Sequence, residues 1–468
     1  MSDKLIDDDD DEREGDETKC LKICLPEHIS AYIEKRDLSR QVQTLECDQS
    51  LLDNITSNYV IAKKILTNLS WQDKLLCKHV CSMWRSIILT LQKEQIWPVD
   101  FNISLKPNNI RNGIKFLKSS NMYTEPLAVF TFTNIAGFLT ANRCEMLVPS
   151  PCDPACDQEH YLVDMIQSEV AATKKCMITV QASYPLYMPL SRSSTSEYAV
   201  KYRIFREKYT FIGGVYIPVI PNVNYTMINL KSGHPSKEKF YGVVDKIVET
   251  DHIKGVLVFV NASYLLETIE DIVFLNYLKT VQSDVPYALG GCIVEDTISD
   301  IPEVNSIIDG INENKEFVSE NLISIGLFSV PKNLQPDQSC NFDMFSLVLE
   351  SSDWSKAKIQ SAINEFASRV PQYEHSVVFK MSCMGRDQKH EVEQQYFRAA
   401  FPNTRIVGCY GNGELGINHP LRPSPEEAYA KCPKRHRRDP GPHFGFMFSY
   451  STVFVYTGWG KILSQPDL

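Results

Sequence analysis

Two short turns hold the residues best suited to chemistry. Cys383-Met384-Gly385-Arg386 follows an apolar run at 375–382, and Gly411-Asn412-Gly413-Glu414 follows another at 404–410. Glycine lets a chain turn tightly and lets backbone approach a ligand. Turns at the ends of neighbouring strands also line the crevices where open α/β sheets bind ligands. Arg386 offers a planar bidentate donor and Glu414 a carboxylate. The set Cys383, Gly385, Arg386, Gly411, Asn412, Gly413 and Glu414 is therefore a candidate pocket for a small ligand or a substrate segment. The competing reading is two tight turns whose polar side chains satisfy one another. A guanidinium beside Cys383 would lower its thiol pKa. His375 and His390 have no evident orienting partner for a triad, so an unreactive thiol is the plainer expectation.

Cysteine and histidine also recur in a pattern. Cys20-x3-Cys24-x3-His28 is repeated as Cys152-x3-Cys156-x3-His160. Each set supplies three soft ligands, one short of a closed zinc site, at a spacing unlike the usual C-x2-C hairpin. Both are read as coincidence, and no metal or cofactor is expected. The chain has no GxxxxGK[ST], GxSxG, HExxH or strand-borne GxGxxG signature, so no catalytic residue is assigned. Its 14 cysteines are scattered through 468 residues, without a signal peptide. They read as reduced thiols of a cytoplasmic or nuclear protein.

Net charge is −10, but residues 7–17 alone hold nine acidic residues and one Arg. The remainder is nearly neutral, which argues against broad binding of a phosphate backbone, so no nucleic-acid partner is expected. The acidic residues read as part of a solvated arm over 1–50. No apolar run is long enough to span a membrane. The run Lys434, Arg435, Arg437, Arg438 lies in a 418–443 stretch with six prolines. It reads equally as a nuclear localisation signal or as a solvated charged loop.

The elements that must position these residues fall into two textures. From Tyr59 to Trp97 no Gly or Pro interrupts, and Val80, Trp84, Ile87, Ile88 and Leu91 recur at helical spacing. This predicts three short helices whose small core leaves apolar surface for a partner. Beyond Trp97 the chain alternates. Strands are expected at 126–133, 176–186, 209–219, 224–230, 255–261, 320–330, 341–350, 375–382, 404–410 and 446–457. Helices are expected at 160–173, 236–250, 262–282, 353–369 and 389–400. Two α/β halves meeting near 300–318 are expected, with no short-period repeat.

The segment Ile65-Leu66-x2-Leu69-x-Trp71-x-Asp73-x-Leu75-Leu76-x3-Val80-Cys81-x2-Trp84-Arg85 resembles the F-box, most specifically in V-C-x-x-W-R at that distance from the Leu pair. It departs from the motif in lacking the opening Leu-Pro and in carrying Ser70 where Pro follows Leu69. The resemblance covers about a tenth of the chain. It implies that residues 51–98 bind the adaptor subunit of an SCF-type cullin-RING ubiquitin ligase. The implied adaptor site is Ile65, Leu66, Leu69, Leu75, Leu76, Val80, Cys81, Trp84 and Arg85. Within it Leu66, Leu69, Leu75 and Leu76 would face the adaptor, and Val80 and Trp84 would consolidate the helices.

Residues 375–416, with Phe397, Phe401-Pro402 and the run Ile406 to Glu414, are similar to the C-terminal part of FIST domains. Gly290-Gly291 fits the middle of the same family. The resemblance implies an α+β chain: a small three-helix F-box, then a two-part mixed α/β FIST-like body divided as 99–316 and 317–468. In bacteria such domains are regarded as small-ligand sensors. Behind an F-box, the resemblance implies capture of a protein for ubiquitination and degradation, without catalysis by this chain.

Overall fold

A computed structural model describes residues 50, 57–104, 114–148, 156, 158–170, 176–190, 203–204, 210–231, 236–262, 275–298, 321–333, 341–350, 353–386, 389–421 and 447–464. The acidic arm before Ser50, Cys152 and the basic run Lys434 to Arg438 lie outside the described residues.

The chain is mixed α and β, as its patterning predicts. Among the described elements three helices come first: α1 (Tyr59–Asn68), α2 (Trp71–Cys77) and α3 (Ser82–Glu94). Each has an N-cap that satisfies backbone donors otherwise left over at a helix start. Asn58 Oδ1 accepts from Val60 N at 3.0 Å and Ile61 N at 3.2 Å. Ser70 Oγ accepts from Asp73 N at 3.0 Å and donates to Asp73 Oδ2 at 2.6 Å. Serine in place of the motif's proline thus starts α2 by capping rather than by a fixed φ. Cys81 Sγ accepts from Trp84 N at 3.5 Å at the head of α3. Ala62 and Leu66 of α1 pack against Ile87, Ile88 and Leu91 of α3 and against Tyr123 from the body.

Among the described residues the body has three large sheets. The first contains β1 (Val99–Ser104), β2 (Ile114–Lys118), β3 (Pro126–Thr133), β5 (Leu147–Val148), β7 (Met177–Gln181), β10 (Ile212–Pro218) and β14 (Asp296–Ile298), with α4 (Ile135–Leu139) and α5 (Leu162–Val170) on its connections. A separate hairpin pairs β4 (Ala141–Arg143) with β6 (Glu159–Tyr161). The second sheet contains β11 (Asn224–Lys231), β12 (Asp251–Asn261), β13 (Ala288–Val294), β15 (Asn321–Pro331), β19 (Glu414–Gly416) and β20 (Met447–Phe448), with α6 (Ser236–Thr250) and α7 (Tyr277–Val281). The third contains β8 (Tyr184–Met188), β9 (Arg203–Ile204), β16 (Phe342–Leu349), β17 (Gln372–Cys383), β18 (Arg405–Gly411) and β21 (Thr452–Ser464), with α8 (Lys356–Arg369) and α9 (His390–Ala400).

Strand order makes the three sheets versions of one unit. Each contains the order first, fourth, second, third: β1-β10-β3-β7, β11-β15-β12-β13 and β16-β21-β17-β18. In each, the second and third strands are parallel and the fourth is antiparallel to both its neighbours. Each unit also lends a short strand to another, antiparallel to that unit's third strand. β14 of the second unit joins β7, β19 of the third joins β13, and β8 of the first joins β18. The exchange closes a ring of three. A shared core fills the space between the sheets, with Phe130 and Val215 from the first, Leu257 and Phe259 from the second, and Phe379 and Val455 from the third. Outward faces of the second and third sheets are covered by α6/α7 and α8/α9.

The two-part division expected from sequence is therefore three units. β15 belongs to the second sheet, so the last boundary falls after Pro331 instead of near 300–318. Helices at 236–250, 353–369 and 389–400 match the expectation to within three residues, whereas most of 262–282 lies outside the described residues. The turn expected over Gly411-Asn412-Gly413-Glu414 is shorter than predicted, since Gly411 still belongs to β18 and Glu414 is already in β19. Among the described residues no helix is long and apolar enough to cross a membrane.

Candidate functional site

The first unit has β2 and the connection 119–125 where the other two carry a covering helix, and the three-helix segment sits against that connection. Trp71 Nε1 donates to Val170 O at 3.0 Å, and Trp97 Nε1 donates to Ser120 Oγ at 2.8 Å. Gln95 Oε1 accepts from Tyr123 N, and Gln95 Nε2 donates to Asn121 O at 3.3 Å. Lys74 is fully buried, donating to Leu69 O, to Met122 O at 3.2 Å and to Thr67 O at 3.3 Å. Burial pulls its pKa down to about 7, while three carbonyls engage its ammonium hydrogens. Sequence reading missed Lys74. Its signal was faint: a lysine between Asp73 and Leu75 on a helix otherwise assigned to a partner.

The sides of α1 follow from its spacing. Ala62 and Leu66 face inward, which leaves Ile61 and Ile65, also four apart, on the outer side. Ile61 is 41% exposed and Ile65 39%, with Val60 at 73% and Val80 at 62%. Leu69, Leu75, Leu76 and Trp84 are half-buried, and Cys81 and Arg85 exposed. Two assignments thus change. Leu66, expected to face an adaptor, lies in the helix core because it shares a face with Ala62. Val80, expected to consolidate the helices, sits in the exposed turn between α2 and α3. Val60 and Ile61 join the apolar surface, and they precede the stretch whose motif was legible.

The two chemistry-bearing turns do meet. β17 and β18 run parallel, with Cys383 in register with Gly411. Met384 N donates to Gly411 O at 3.1 Å, and Asn412 N to Ile293 O at 2.9 Å. Gly411 is needed for close approach of the chain to itself: a Cβ there would lie 2.3 Å from Ile293 O. Arg386 and Glu414 are both fully buried. Arg386 Nε donates to Glu393 Oε1 at 2.7 Å and Nη1 to Tyr450 O at 2.7 Å. Glu393 Oε2 accepts from Thr452 Oγ1 at 2.8 Å and faces Lys380 Nζ at 3.4 Å. Glu414 Oε2 accepts from Ser451 N at 3.2 Å and Ser451 Oγ at 2.8 Å.

These groups form a closed polar core rather than a lined crevice. Met384, Gly385, Asn412 and Tyr450 stand exposed at its rim, beside a half-buried Cys383. Burial, the largest effect, pushes the Glu414 carboxyl up to about 8 and outweighs the nearby Arg386. Lys380 is lowered to about 8, again by burial, against the pull of Glu393. The Cys383 thiol is raised, first by burial and then by the Glu414 charge. Arg386 opposes that shift only weakly, contrary to the expectation of a lowered pKa. Glu393 and Lys380 were missed by sequence reading. A lysine inside the apolar run Val377 to Met381 was the available signal, since a charge there must find a partner.

No protein-family model matches the chain, and no curated protein matches it.

Proposed function

We propose that this chain is a non-catalytic substrate receptor of an SCF-type cullin-RING ubiquitin ligase, acting in the cytoplasm and nucleus. The F-box-like helices hold the adaptor subunit, and the FIST-like body captures a protein marked for degradation. The observation that carries the reading is the asymmetry of the three-helix unit. One side is fastened to the body through Trp71, Lys74 and Gln95, while Val60, Ile61, Ile65 and Val80 present apolar surface outward. Apolar anchors with half-buried aliphatic neighbours are what dominate protein interfaces. Packing of the helices entirely within the body would have favoured a scaffold instead.

The mechanism is proximity. A receptor that holds both adaptor and target raises the effective concentration of the target's lysines at the charged ubiquitin-conjugating enzyme. No residue of this chain has to break or form a bond, and no cofactor is called for. The test is co-elution of the full-length chain with purified adaptor on gel filtration. A stable complex supports the reading, and separate elution of two folded proteins removes it.

A second reading, a ligand-sensing body, draws on the third unit. Glu414 Oε1 is buried with no hydrogen-bond partner among the described residues, and unsatisfied buried acceptors call for an explanation. A small ligand hydrogen-bonding Glu414 Oε1 would have to displace the Tyr450 and Met384 rim. A ligand-induced change in the solvent exposure of Tyr450 is the corresponding test.

A further inference from the structure

We propose that Cys144, Cys156 and His160 form a divalent-metal site, suited to Zn²⁺, that ties the β4–β6 hairpin together. The inference is independent of the ligase reading. The ladder register explains how three distant positions converge. Asn142 pairs with His160 and Arg143 with Glu159, and Cys144 N continues the ladder by donating to Gln158 O at 2.9 Å. Cys144 opens the 3₁₀ turn that directly follows β4, one step beyond the Arg143–Glu159 pair, and its sulfur lies near His160 at the end of the ladder. Cys156 enters four residues before His160, and its Sγ lies 3.4 Å from His160 Nε2. The donor atoms of all three residues lie within 4.8 Å of one another.

Those separations fit a metal. Tetrahedral Zn²⁺ with Zn–S near 2.3 Å and Zn–N near 2.0 Å places donors about 3.5 Å apart for S–N and about 3.8 Å for S–S. The observed Cys156–His160 S–N distance is 3.4 Å, and with all donors within 4.8 Å no pair has to close by more than about 1.3 Å. A thiol–imidazole hydrogen bond would account for Cys156 and His160 alone. The cluster adds the buried Cys144 as a third donor to that pair. Two thiolates and an imidazole are soft and borderline donors, which select zinc over magnesium or calcium. Binding would exchange the two thiol protons for one Zn²⁺ and release them to solvent, with no change of oxidation state. Three protein donors leave one coordination position for water or another ligand.

Sequence spacing alone had paired Cys152 with Cys156 and His160, and so missed Cys144, which only the hairpin brings near. The site also sits one step from the helical unit. β6 leads directly into α5, and the last residue of α5, Val170, accepts the hydrogen bond from Trp71. An ion that fixes the hairpin therefore steadies the seat of α2.

The test uses full-length protein in a Cys20→Ser, Cys24→Ser background, which removes the other Cys/His set. The apo protein is titrated with Co²⁺ and then Zn²⁺, and zinc retained after gel filtration is measured by mass spectrometry. The expected result is about one zinc per chain, with visible tetrahedral Co²⁺ bands and a thiolate charge-transfer band that Zn²⁺ abolishes. Cys156→Ser and His160→Gln, both at half-buried positions, should lose the bands and at least ~10-fold in zinc affinity while retaining the wild-type circular dichroism. Chelation should also speed amide exchange over 162–170. No Co²⁺ spectrum in the folded parent protein, or zinc content unchanged by Cys156→Ser, overturns the proposal. Because the parent titration decides on its own, a variant that fails to fold does not rescue it.

Discussion

Replacing Ile61 and Ile65 together by alanine separates docking from folding. Both side chains lie on the outer side of α1, at 41% and 39% exposure. A fully buried aliphatic side chain is worth about 1.5–3 kcal/mol, so covering the remaining surface contributes about 1 kcal/mol at each position. The pair should therefore cost about 2 kcal/mol of adaptor affinity, a roughly 30-fold rise in Kd. The fold should change little, because alanine is the best helix former and the inward residues Ala62 and Leu66 are untouched. Isothermal titration against purified adaptor, with thermal unfolding of the same samples, reads both quantities. Unchanged affinity with unchanged stability would refute the assignment of this face. A matched loss of affinity and stability would refute the claim that the two residues lie outside the helix core.

Other substitutions probe separate parts of the account. Leu66→Ala opens a cavity among Ala62, Ile87, Ile88 and Leu91 and should destabilise by about 2–5 kcal/mol in chemical denaturation if the helices unfold with the body. Lys74→Met leaves Thr67 O, Leu69 O and Met122 O without their shared donor. At about 1–3 kcal/mol per unsatisfied carbonyl, it should release the three-helix unit and raise amide exchange across 59–94. Glu414 gives a pH dependence with a definite sign. Its folded pKa, about 8, lies above the ordinary glutamate value of 4.5, so its contribution is fully present below about pH 4.5 and is lost as pH rises through about 8. Stability should fall across that window by at most about 1.4 kcal/mol per pH unit, and Glu414→Gln should remove that slope. A wild-type slope that persists in the variant would assign the titration to another group.

Much of the architecture was legible because its strands and helices are strongly patterned. The run Pro126 to Thr133 and the segment Lys356 to Arg369 carry their periodicity on the surface of the sequence. What could not be read was which strands pair. β8, β14 and β19 are three to five residues long and contribute to a sheet of another unit. Their place depends on contacts far away in sequence, which no local pattern records. That exchange is also why three units read as two halves. At the candidate pocket, the meeting of Cys383 with Gly411 followed from two parallel strand ends. The burial of Arg386 did not, because its partner Glu393 comes from α9 and Tyr450 from beyond the 418–443 stretch. On α1, the motif identified the helix but not its orientation. Leu66 and Ile65 are adjacent and similar, and only packing against α3 decides which of them turns inward.

In the proposed function, the outward face of the three-helix unit holds a ligase adaptor. The most direct measurement is equilibrium binding of the wild-type full-length chain to purified adaptor, with amide-exchange footprinting of the complex. The account predicts a one-to-one complex of micromolar or tighter Kd, with protection gained at 59–66 and 75–81 and none gained at 375–416. Absence of binding by the folded chain, or protection confined to the body, would contradict it.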